Sequence, residues 1–186
     1  MDNSEGIHRH SLRLKDFDYS QAGAYFVTIC TKNRQCIFGT IQQGKMQLNA
    51  SGRVASAQWR QLPYRFTDLE LGEWVVMPNH IHGILVITGR GEASLNSKSG
   101  DAEPLSGNVS PLRPTGTTPG SVGAMIQNYK SITSRKISAQ IEKMRGSVWQ
   151  RNYYEHVIRN ECELNAISIY ILTNPQNWEK DTEYIM

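Results

Sequence analysis

Two apolar runs on either side of a Pro-Asn turn constrain the fold of this 186-residue chain more than any other feature. Residues 70–77 (ELGEWVVM) and 81–88 (IHGILVIT) are rich in β-branched and aromatic side chains, which is typical of strands. Pro78 and Asn79 form a tight connection, and strands joined this closely pair as antiparallel neighbours. The sequence therefore predicts an antiparallel sheet.

The rest of the chain alternates between strand-like and helix-like patterns. Strands are indicated by β-branched and aromatic runs, and helices by apolar residues that recur at helical spacing. The predicted elements are a strand over 24–31, a hairpin turning at Gln43–Gly44, a helix capped by Asn49 or Ser51 and running through Leu62, a helix over 121–144, a strand over 149–158 and a helix from Glu161 to Thr173. Asn160 and Glu163 have the spacing of a capping box at the start of this last helix, and Pro175 ends it.

The order of these elements predicts the fold class. Helices that alternate with strands around a tight antiparallel pair are typical of an α+β fold. We expect one domain over 1–186, built as a ferredoxin-like antiparallel sheet with helices packed on one face. Residues 89–120 consist mainly of Ser, Gly, Pro, Thr and Asn. Such a segment buries too little apolar surface to offset its ordering entropy, so we expect a flexible insertion within the domain.

Composition predicts the compartment. Cys30, Cys36 and Cys162 form no CxxC pair, which argues against a disulfide framework and a cysteine zinc site. The N-terminal residues are polar, without the apolar segment of a secretory signal. The longest apolar stretch, around Ile84 to Ile87, is far too short to span a bilayer. A cytoplasmic protein that does not enter the membrane is therefore predicted.

Charge is unevenly distributed along the chain. Residues 121–160 carry a net charge of +5 and residues 161–186 a net charge of −4, and a basic N-terminal arm is expected over 1–20. A local basic surface is what binding to a phosphate backbone requires, and exposed aromatic rings can stack on unpaired bases. The alternatives are a solvated helix face and aromatics buried in the core. The candidate nucleic-acid contacts are Arg9, Arg13, Lys15, Lys130, Arg135, Lys136, Trp149, Arg151 and Tyr153.

The strand over 81–88 begins beside two histidines, His80 and His82. Residues two apart in a strand project from the same face, so the two imidazoles would lie side by side. That arrangement lets them share a divalent cation. The alternative is a pair of surface or partly buried histidines, because a motif this short is weakly specific.

The last helix carries a second pair, Tyr170 and Asn174, one helical turn apart. A phenol has a pKa of about 10 and is a poor nucleophile unless a metal polarises its target. Two histidines leave room for a third ligand, and the amide oxygen of Asn174 is a candidate. The alternatives are a core aromatic and a helix-terminal residue before proline.

Four blocks of sequence, taken in order, resemble those of one family. They are RLKDFDYSQAGAYFVTICTKNR, WVVMPNHIHGILVI, WQRNYYEHVIRNE and IYILTNPQNW, and they cover most of the chain outside the insertion. The chain resembles the single-tyrosine HUH transposases, and most of all the REP-associated tyrosine transposases. The resemblance implies an HUH endonuclease palm in which Tyr170 is the nucleophile. It also implies Mg²⁺ or Mn²⁺ held by His80, His82 and Asn174.

Two details of this site stay open. Asn174 precedes a proline, which disfavours helical backbone angles and makes its role as a ligand less secure. Tyr153 and Tyr154 are weaker candidates for the nucleophile, because their spacing to an amide partner is poorer.

The function implied by the resemblance is metal-dependent cleavage and rejoining of single-stranded DNA near a hairpin or palindrome. It proceeds through a 5′-phosphotyrosine, as in DNA transposition. The sequence contains neither a P-loop nor a Gly-rich phosphate motif, so no nucleotide cofactor is expected. The protein could be a monomer or a homodimer, and we expect the tyrosine to act in its own subunit. The alternatives are a catalytically silent module that binds nucleic-acid hairpins and a metal-dependent phosphodiesterase that uses water.

Overall fold

A four-stranded antiparallel sheet lies at the centre of the structure, a computed structural model that describes residues 17–89, 117–140 and 147–184. Two further strands form a separate hairpin. In chain order the strands are β1 (Gly23–Cys30), β2 (Gly39–Gln42), β3 (Lys45–Leu48), β4 (Leu69–Val76), β5 (His80–Ile87) and β6 (Tyr154–Ile158). The sheet has the order β4-β5-β1-β6, and β2 pairs with β3. The predicted antiparallel pairing of β4 with β5 is confirmed.

Three α-helices and two short 3-10 helices complete the described part of the chain. The α-helices are α1 (Ala50–Arg60), α2 (Val122–Gln140) and α3 (Glu161–Thr173), and the 3-10 helices cover Lys32–Arg34 and Asn174–Lys180. The side chain of Asn49 accepts the Gly52 N–H at 2.9 Å, so Asn49 rather than Ser51 caps α1.

The start of α3 is a modified capping box. The side chain of Asn160 accepts the N–H of Glu163 at 2.9 Å, as the spacing predicts. The carboxylate of Glu163, however, accepts the N–H of Arg159 at 2.8 Å instead of the N–H of the cap residue itself. The cap is therefore confirmed, while its reciprocal hydrogen bond is displaced by one residue. The same carboxylate also contacts His156 of β6, which connects the start of α3 to the sheet.

One face of the sheet packs against α1 and α2. Alternate residues of a strand point to opposite faces, and on this face Val27 and Leu85 are buried in a cluster with Trp59 of α1 and Tyr129 of α2. The approach is close at Gly83, where a Cβ would lie 2.4 Å from the Trp59 ring. Only glycine fits there, and its absence of a side chain lets α1 lie directly on the sheet.

The opposite face packs against α3. Phe26, Ile84 and Ile158 form a second buried cluster with Ile171 of α3. The predicted α+β fold with an antiparallel sheet is confirmed, but the helices do not all lie on one face, because β1 and β5 are apolar on both of their faces and each face needs a cover. The face under α3 is also the one that carries His80 and His82.

Some predicted boundaries shift or lie outside the described residues. The strand predicted over 149–158 begins only at Tyr154, and Trp149 forms a single bridge with Thr31. The arm up to residue 16, the insertion over 90–116 and the end of the predicted helix over 141–144 are not among the described residues. Within the described residues, no helix is long and apolar enough to cross a membrane.

Candidate active site

His80 and His82 lie side by side at the start of β5. They pair across the ladder with Cys30 and Thr28 of β1, and both side chains are almost completely buried. Their ring centroids are 4.3 Å apart. The geometry that the two-residue spacing predicts, with both imidazoles on one face, is therefore what the strand produces.

A neighbouring side chain orients each imidazole. Nδ1 of His80 lies 2.8 Å from Oδ1 of Asn79, whose amide nitrogen donates to the carbonyl oxygens of Arg34 and Glu183. Nδ1 of His82 lies 2.8 Å from Oγ1 of Thr28. Because Nδ1 is occupied in both rings, Nε2 is the atom left for the site, the arrangement usual for histidines that ligate metals.

The protonation state of His80 suits a metal ligand. Burial, and the neighbouring His82, lower the pKa of His80 well below its ordinary value, so the imidazole is neutral at physiological pH. Its Nε2 is buried and has no hydrogen-bond partner. A neutral imidazole with an unpaired, inward-facing nitrogen has the lone pair that a cation requires.

A carboxylate that sequence reasoning missed completes the cluster. Oδ2 of Asp181 lies 3.6 Å from Nε2 of His82, and the Asp181 side chain is fully buried. One ligand atom from each of His80, His82 and Asp181 lies within 4.8 Å of the others, so this group could hold a metal ion. Burial raises the pKa of Asp181, but its contacts with His82 and Asn174 outweigh burial and hold the pKa below its ordinary value. No motif marks this residue. It counts only as part of the acidic segment over 161–186.

Tyr170 extends from α3 to this cluster. Its phenolic oxygen lies 3.1 Å from Nε2 of His82, and the hydroxyl donates to Oδ2 of Asp181 at 3.1 Å. Burial and the charge of Asp181 raise the pKa of Tyr170 above its ordinary value, so the phenol is protonated here. The residue remains 40% exposed, although its hydroxyl contacts two buried side chains.

Asn174 lies at the other side of the cluster, directly after α3. Its amide nitrogen donates to Oδ2 of Asp181 at 2.6 Å, while its Oδ1 is buried without a hydrogen-bond partner. Its φ of −55° and ψ of −42° are helical, so the expectation that Pro175 would displace it from helical angles is wrong. The proline instead occupies the first turn of the following 3-10 helix, where its missing N–H has no cost.

The donor set fits a divalent cation. Two buried polar atoms without partners, Nε2 of His80 and Oδ1 of Asn174, belong to this cluster. Unpaired buried polar atoms are unfavourable unless something binds them. Imidazole nitrogen together with carboxylate and amide oxygen suits ions such as Mg²⁺ and Mn²⁺.

Two residues predicted to contact nucleic acid have structural roles instead. Trp149 is 3% exposed, and its indole N–H donates to the hydroxyl of Thr133 at 2.8 Å. The Lys130 ammonium donates to the carbonyl oxygens of Gln150 at 2.9 Å and Asn152 at 3.0 Å, and burial lowers its pKa to about 8. These side chains hold the segment before β6 in place, so the structure does not support their proposed contacts with DNA.

The other predicted contacts divide by position. Arg135, Lys136 and Arg151 are exposed, whereas Arg9, Arg13 and Lys15 lie outside the described residues. Arg151 lines a shallow cleft together with residues 32–34.

The two alternative tyrosines lie on opposite faces of the sheet. Tyr153 is half-buried against the cluster under α1 and α2, and its hydroxyl donates to Glu155 at 2.9 Å. This position separates it from the histidines and argues against it both as a nucleophile and as a stacking surface. Tyr154 lies on the histidine face.

The chain is similar to known proteins both in sequence and in fold. No family model matches the sequence. An uncharacterized protein of Haemophilus influenzae is 39% identical over 181 residues, which are 96% of this chain and 94% of that protein. A REP-associated tyrosine transposase bound to a REP hairpin superimposes with a TM-score of 0.56 at 16% identity, covering 90% of this chain and 74% of that chain. A Deinococcus radiodurans protein described as a transposase aligns with a TM-score of 0.46 at 14% identity, over 86% of this chain and 95% of that one.

Proposed function

We propose that this chain, which belongs to the same family as the Haemophilus influenzae protein and has the fold of the REP-associated tyrosine transposases, is a transposase that cleaves and rejoins single-stranded DNA. The observation that carries the proposal is the 3.1 Å separation between the Tyr170 hydroxyl and Nε2 of His82. A nucleophilic oxygen and a cluster able to hold a cation thus meet within one chain. The proposed tyrosine therefore acts in its own subunit.

The proposed reaction needs few groups. The Tyr170 oxygen attacks the scissile phosphorus, forming a 5′-phosphotyrosine while the bond from phosphorus to the 3′ oxygen breaks. The hydrogen bond to Oδ2 of Asp181 orients the phenol. The phenolic proton passes to solvent water as the new bond to phosphorus forms, and the departing 3′ oxygen takes up a proton from water as it becomes a hydroxyl. The reverse attack by a 3′ hydroxyl rejoins DNA without ATP, because the phosphotyrosine ester conserves the bond.

The residues that would hold the metal are His80, His82, Asn174 and Asp181. A Mg²⁺ or Mn²⁺ ion bound there would polarise the scissile phosphate and stabilise negative charge on its oxygens. His80 is neutral and buried, so it accepts a cation without first losing a proton.

We further propose that the substrate includes hairpin DNA beside the cleaved strand. The structural relative is described as bound to a REP hairpin, and exposed arginines and lysines are the groups that contact DNA backbones. The proposed backbone contacts are Arg135, Lys136 and Arg151, together with Arg9, Arg13 and Lys15 of the N-terminal arm.

A covalent-adduct assay tests this function. Purified protein is mixed with labelled single-stranded DNA from both flanks of its own gene and with Mn²⁺, and SDS-resistant adducts are resolved on a gel. We expect an adduct that EDTA abolishes, that Tyr170→Phe lacks and that Tyr64→Phe retains. Tyr64 is a suitable control because it is 89% exposed and lies in the loop before β4. The first residue of β4, Leu69, pairs with Ile87, at the end of β5 opposite to the histidines.

Other outcomes identify the alternatives. Binding without an adduct in the wild-type protein would indicate a module that binds hairpins without turnover. Cleavage that persists in Tyr170→Phe would indicate a phosphodiesterase that uses water as its nucleophile.

A further inference from the structure

One exposed aromatic side chain lies on the same face of the sheet as His80 and His82. Tyr154, the first residue of β6, is 40% exposed. Trp149, five residues earlier in the chain, is buried. Tyr154 pairs with Thr28 of β1, and Thr28 pairs in turn with His82 of β5. Residues paired across a ladder point to the same face, so the Tyr154 ring and the His82 ring share the face that α3 only partly covers.

The distance between the two rings suits a nucleotide that flanks the cleaved bond. Tyr154 and His82 are separated by two strand spacings, or about 10 Å between their backbones. If a phosphate lies at the His82 and Tyr170 side chains, the base of an adjoining nucleotide reaches the Tyr154 position.

The Tyr154 ring packs against Phe26 of β1. Phe26 lies between the relevant side chains, with its centroid 6.1 Å from Tyr154, 5.4 Å from His82 and 6.2 Å from Tyr170. The contact with Tyr154 is edge-on, at an interplanar angle of 67°. Aromatic pairs prefer such an edge-to-face arrangement, and the 40% exposed fraction of Tyr154 leaves part of its surface available to a planar ligand.

The two ends of α3 differ in their contacts with β6. At the start of α3, the contact between Glu163 and His156 joins the helix to β6. At the end of α3, no hydrogen bond joins Tyr170 to Tyr154 within the described residues, and both rings are 40% exposed. The start of α3 is therefore joined to β6, whereas Tyr154 and Tyr170 both remain partly exposed to solvent.

We infer that Tyr154 is a stacking platform for an unpaired nucleobase of the nucleotide that flanks the scissile phosphate. This inference rests on the proposed function for the identity of the ligand. Stacking accepts any base because every base presents a flat π surface, so Tyr154 would contribute affinity and position more than sequence choice.

The test measures binding in a Tyr170→Phe background, where cleavage does not complicate the result. Fluorescein-labelled single-stranded DNA from the flanks of the gene is titrated with protein, and anisotropy gives the affinity. We expect Tyr154→Ala to weaken binding by about fivefold to 160-fold, the range that corresponds to losing one stacked base. Tyr154→Phe keeps the ring and should restore the affinity. Tyr64→Ala, which removes an exposed ring in the loop between α1 and β4, should leave the affinity unchanged.

Photo-crosslinking supplies a second readout, in which Tyr154 is kept. DNA that carries 5-iodouracil at one position per oligonucleotide is irradiated on Tyr170→Phe protein, and the linked peptide is identified by mass spectrometry. A crosslink on Tyr154 from one position supports the inference. Equal affinities of Tyr154→Ala and Tyr154→Phe, crosslinks only at other residues, or no DNA binding at all would overturn it.

Failure of the proposed function gives a different pattern. In that case wild-type protein binds the same DNA and crosslinks through Tyr154, yet forms no adduct on any oligonucleotide. Conversely, an adduct that forms equally well in Tyr154→Ala, with no loss of affinity, leaves the transposase proposal intact and rejects the stacking platform.

Discussion

The phenolic oxygen of Tyr170 lies 3.1 Å from Nε2 of His82, although 88 residues separate them in the chain. The neighbour of Tyr170 on α3, Ile171, is completely buried against Phe26 and Ile84 of the sheet. This apolar contact sets the rotation of α3 about its axis, and the rotation directs Tyr170 to the end of the helix face that lies over the histidines. The geometry of the nucleophile therefore depends on hydrophobic packing one residue away.

The hydroxyl of Thr28 should matter for metal binding even though it is not a proposed ligand. Thr28→Val keeps the shape of the side chain but removes the group that holds Nδ1 of His82 at 2.8 Å. Loss of such a supporting hydrogen bond typically weakens metal affinity by about tenfold to a hundredfold. Isothermal titration with Mn²⁺ measures the change, with Thr40→Val on the exposed surface of β2 as the matched control. Equal Mn²⁺ affinities in Thr28→Val and wild-type protein would show that Thr28 does not orient the imidazole.

Asp181→Asn should weaken Mn²⁺ binding more than Thr28→Val does. The substitution keeps the side-chain volume and removes the negative charge that lies 3.6 Å from His82 Nε2. Carboxylate oxygen is a preferred ligand of Mg²⁺ and Mn²⁺, so its loss removes a direct contact and not only an orienting one. Titration with Mn²⁺ checks this, and Glu179→Gln, on the exposed surface of the 3-10 helix that ends just before Asp181, is the control. If both variants bind Mn²⁺ like the wild type, Asp181 is not a ligand.

Glu163 should make stability depend on acid pH. Its hydrogen bond from the Arg159 N–H, and then its contact with His156, lower the pKa of this carboxyl. As pH falls below about 4.5, the folded state binds fewer protons than the unfolded state. The stabilisation from the ionised Glu163 is therefore complete above that pH, and it is lost as pH falls through the lower pKa of Glu163 in the folded state.

Urea unfolding across pH 3 to 7 tests this dependence. Glu163→Gln should be less stable than wild-type protein at pH 7, and the difference should shrink toward pH 3. Glu161→Gln, in the same helical turn, serves as the control for the general effect of charge near the helix start. A difference between Glu163→Gln and wild type that stays constant with pH would contradict the assignment.

Trp149→Phe should lower stability without lowering DNA affinity. The indole N–H donates to the Thr133 hydroxyl in a buried position, and a hydrogen bond of this kind contributes about 1 kcal/mol. Urea unfolding gives the free energy of unfolding, and anisotropy with labelled single-stranded DNA gives the affinity of the folded variant. A large loss of affinity at unchanged stability would instead support the original prediction that Trp149 contacts nucleic acid.

Much of the site could be predicted because it depends on local periodicity. The two-residue period of a strand places His80 and His82 on one face whatever packs against it, and Asn160 and Pro175 mark where α3 begins and ends. These features depend on backbone geometry within a few residues. For the same reason the antiparallel sheet followed from the tight connection between β4 and β5.

Other features depended on which surfaces meet after folding. Local patterns do not distinguish Trp149, which is buried, from Tyr154, which is exposed, because both are aromatic residues in one short block. Nor do local patterns predict the position of Asp181. The 3-10 helix Asn174–Lys180 turns the chain back toward the sheet, so that Asp181 lies beside His82.

The sequence by itself determined the strand that pairs the histidines, to within one residue at each end, and the helix that carries Tyr170 with both of its limits. The tertiary structure alone decided that α3 covers the face opposite α1 and α2, and that a distant carboxylate joins the cluster. The physical reason is the range of the forces involved. Residue spacing, helical hydrogen bonding and helix capping act within a few residues, whereas the burial of apolar faces depends on contacts between residues far apart in the chain.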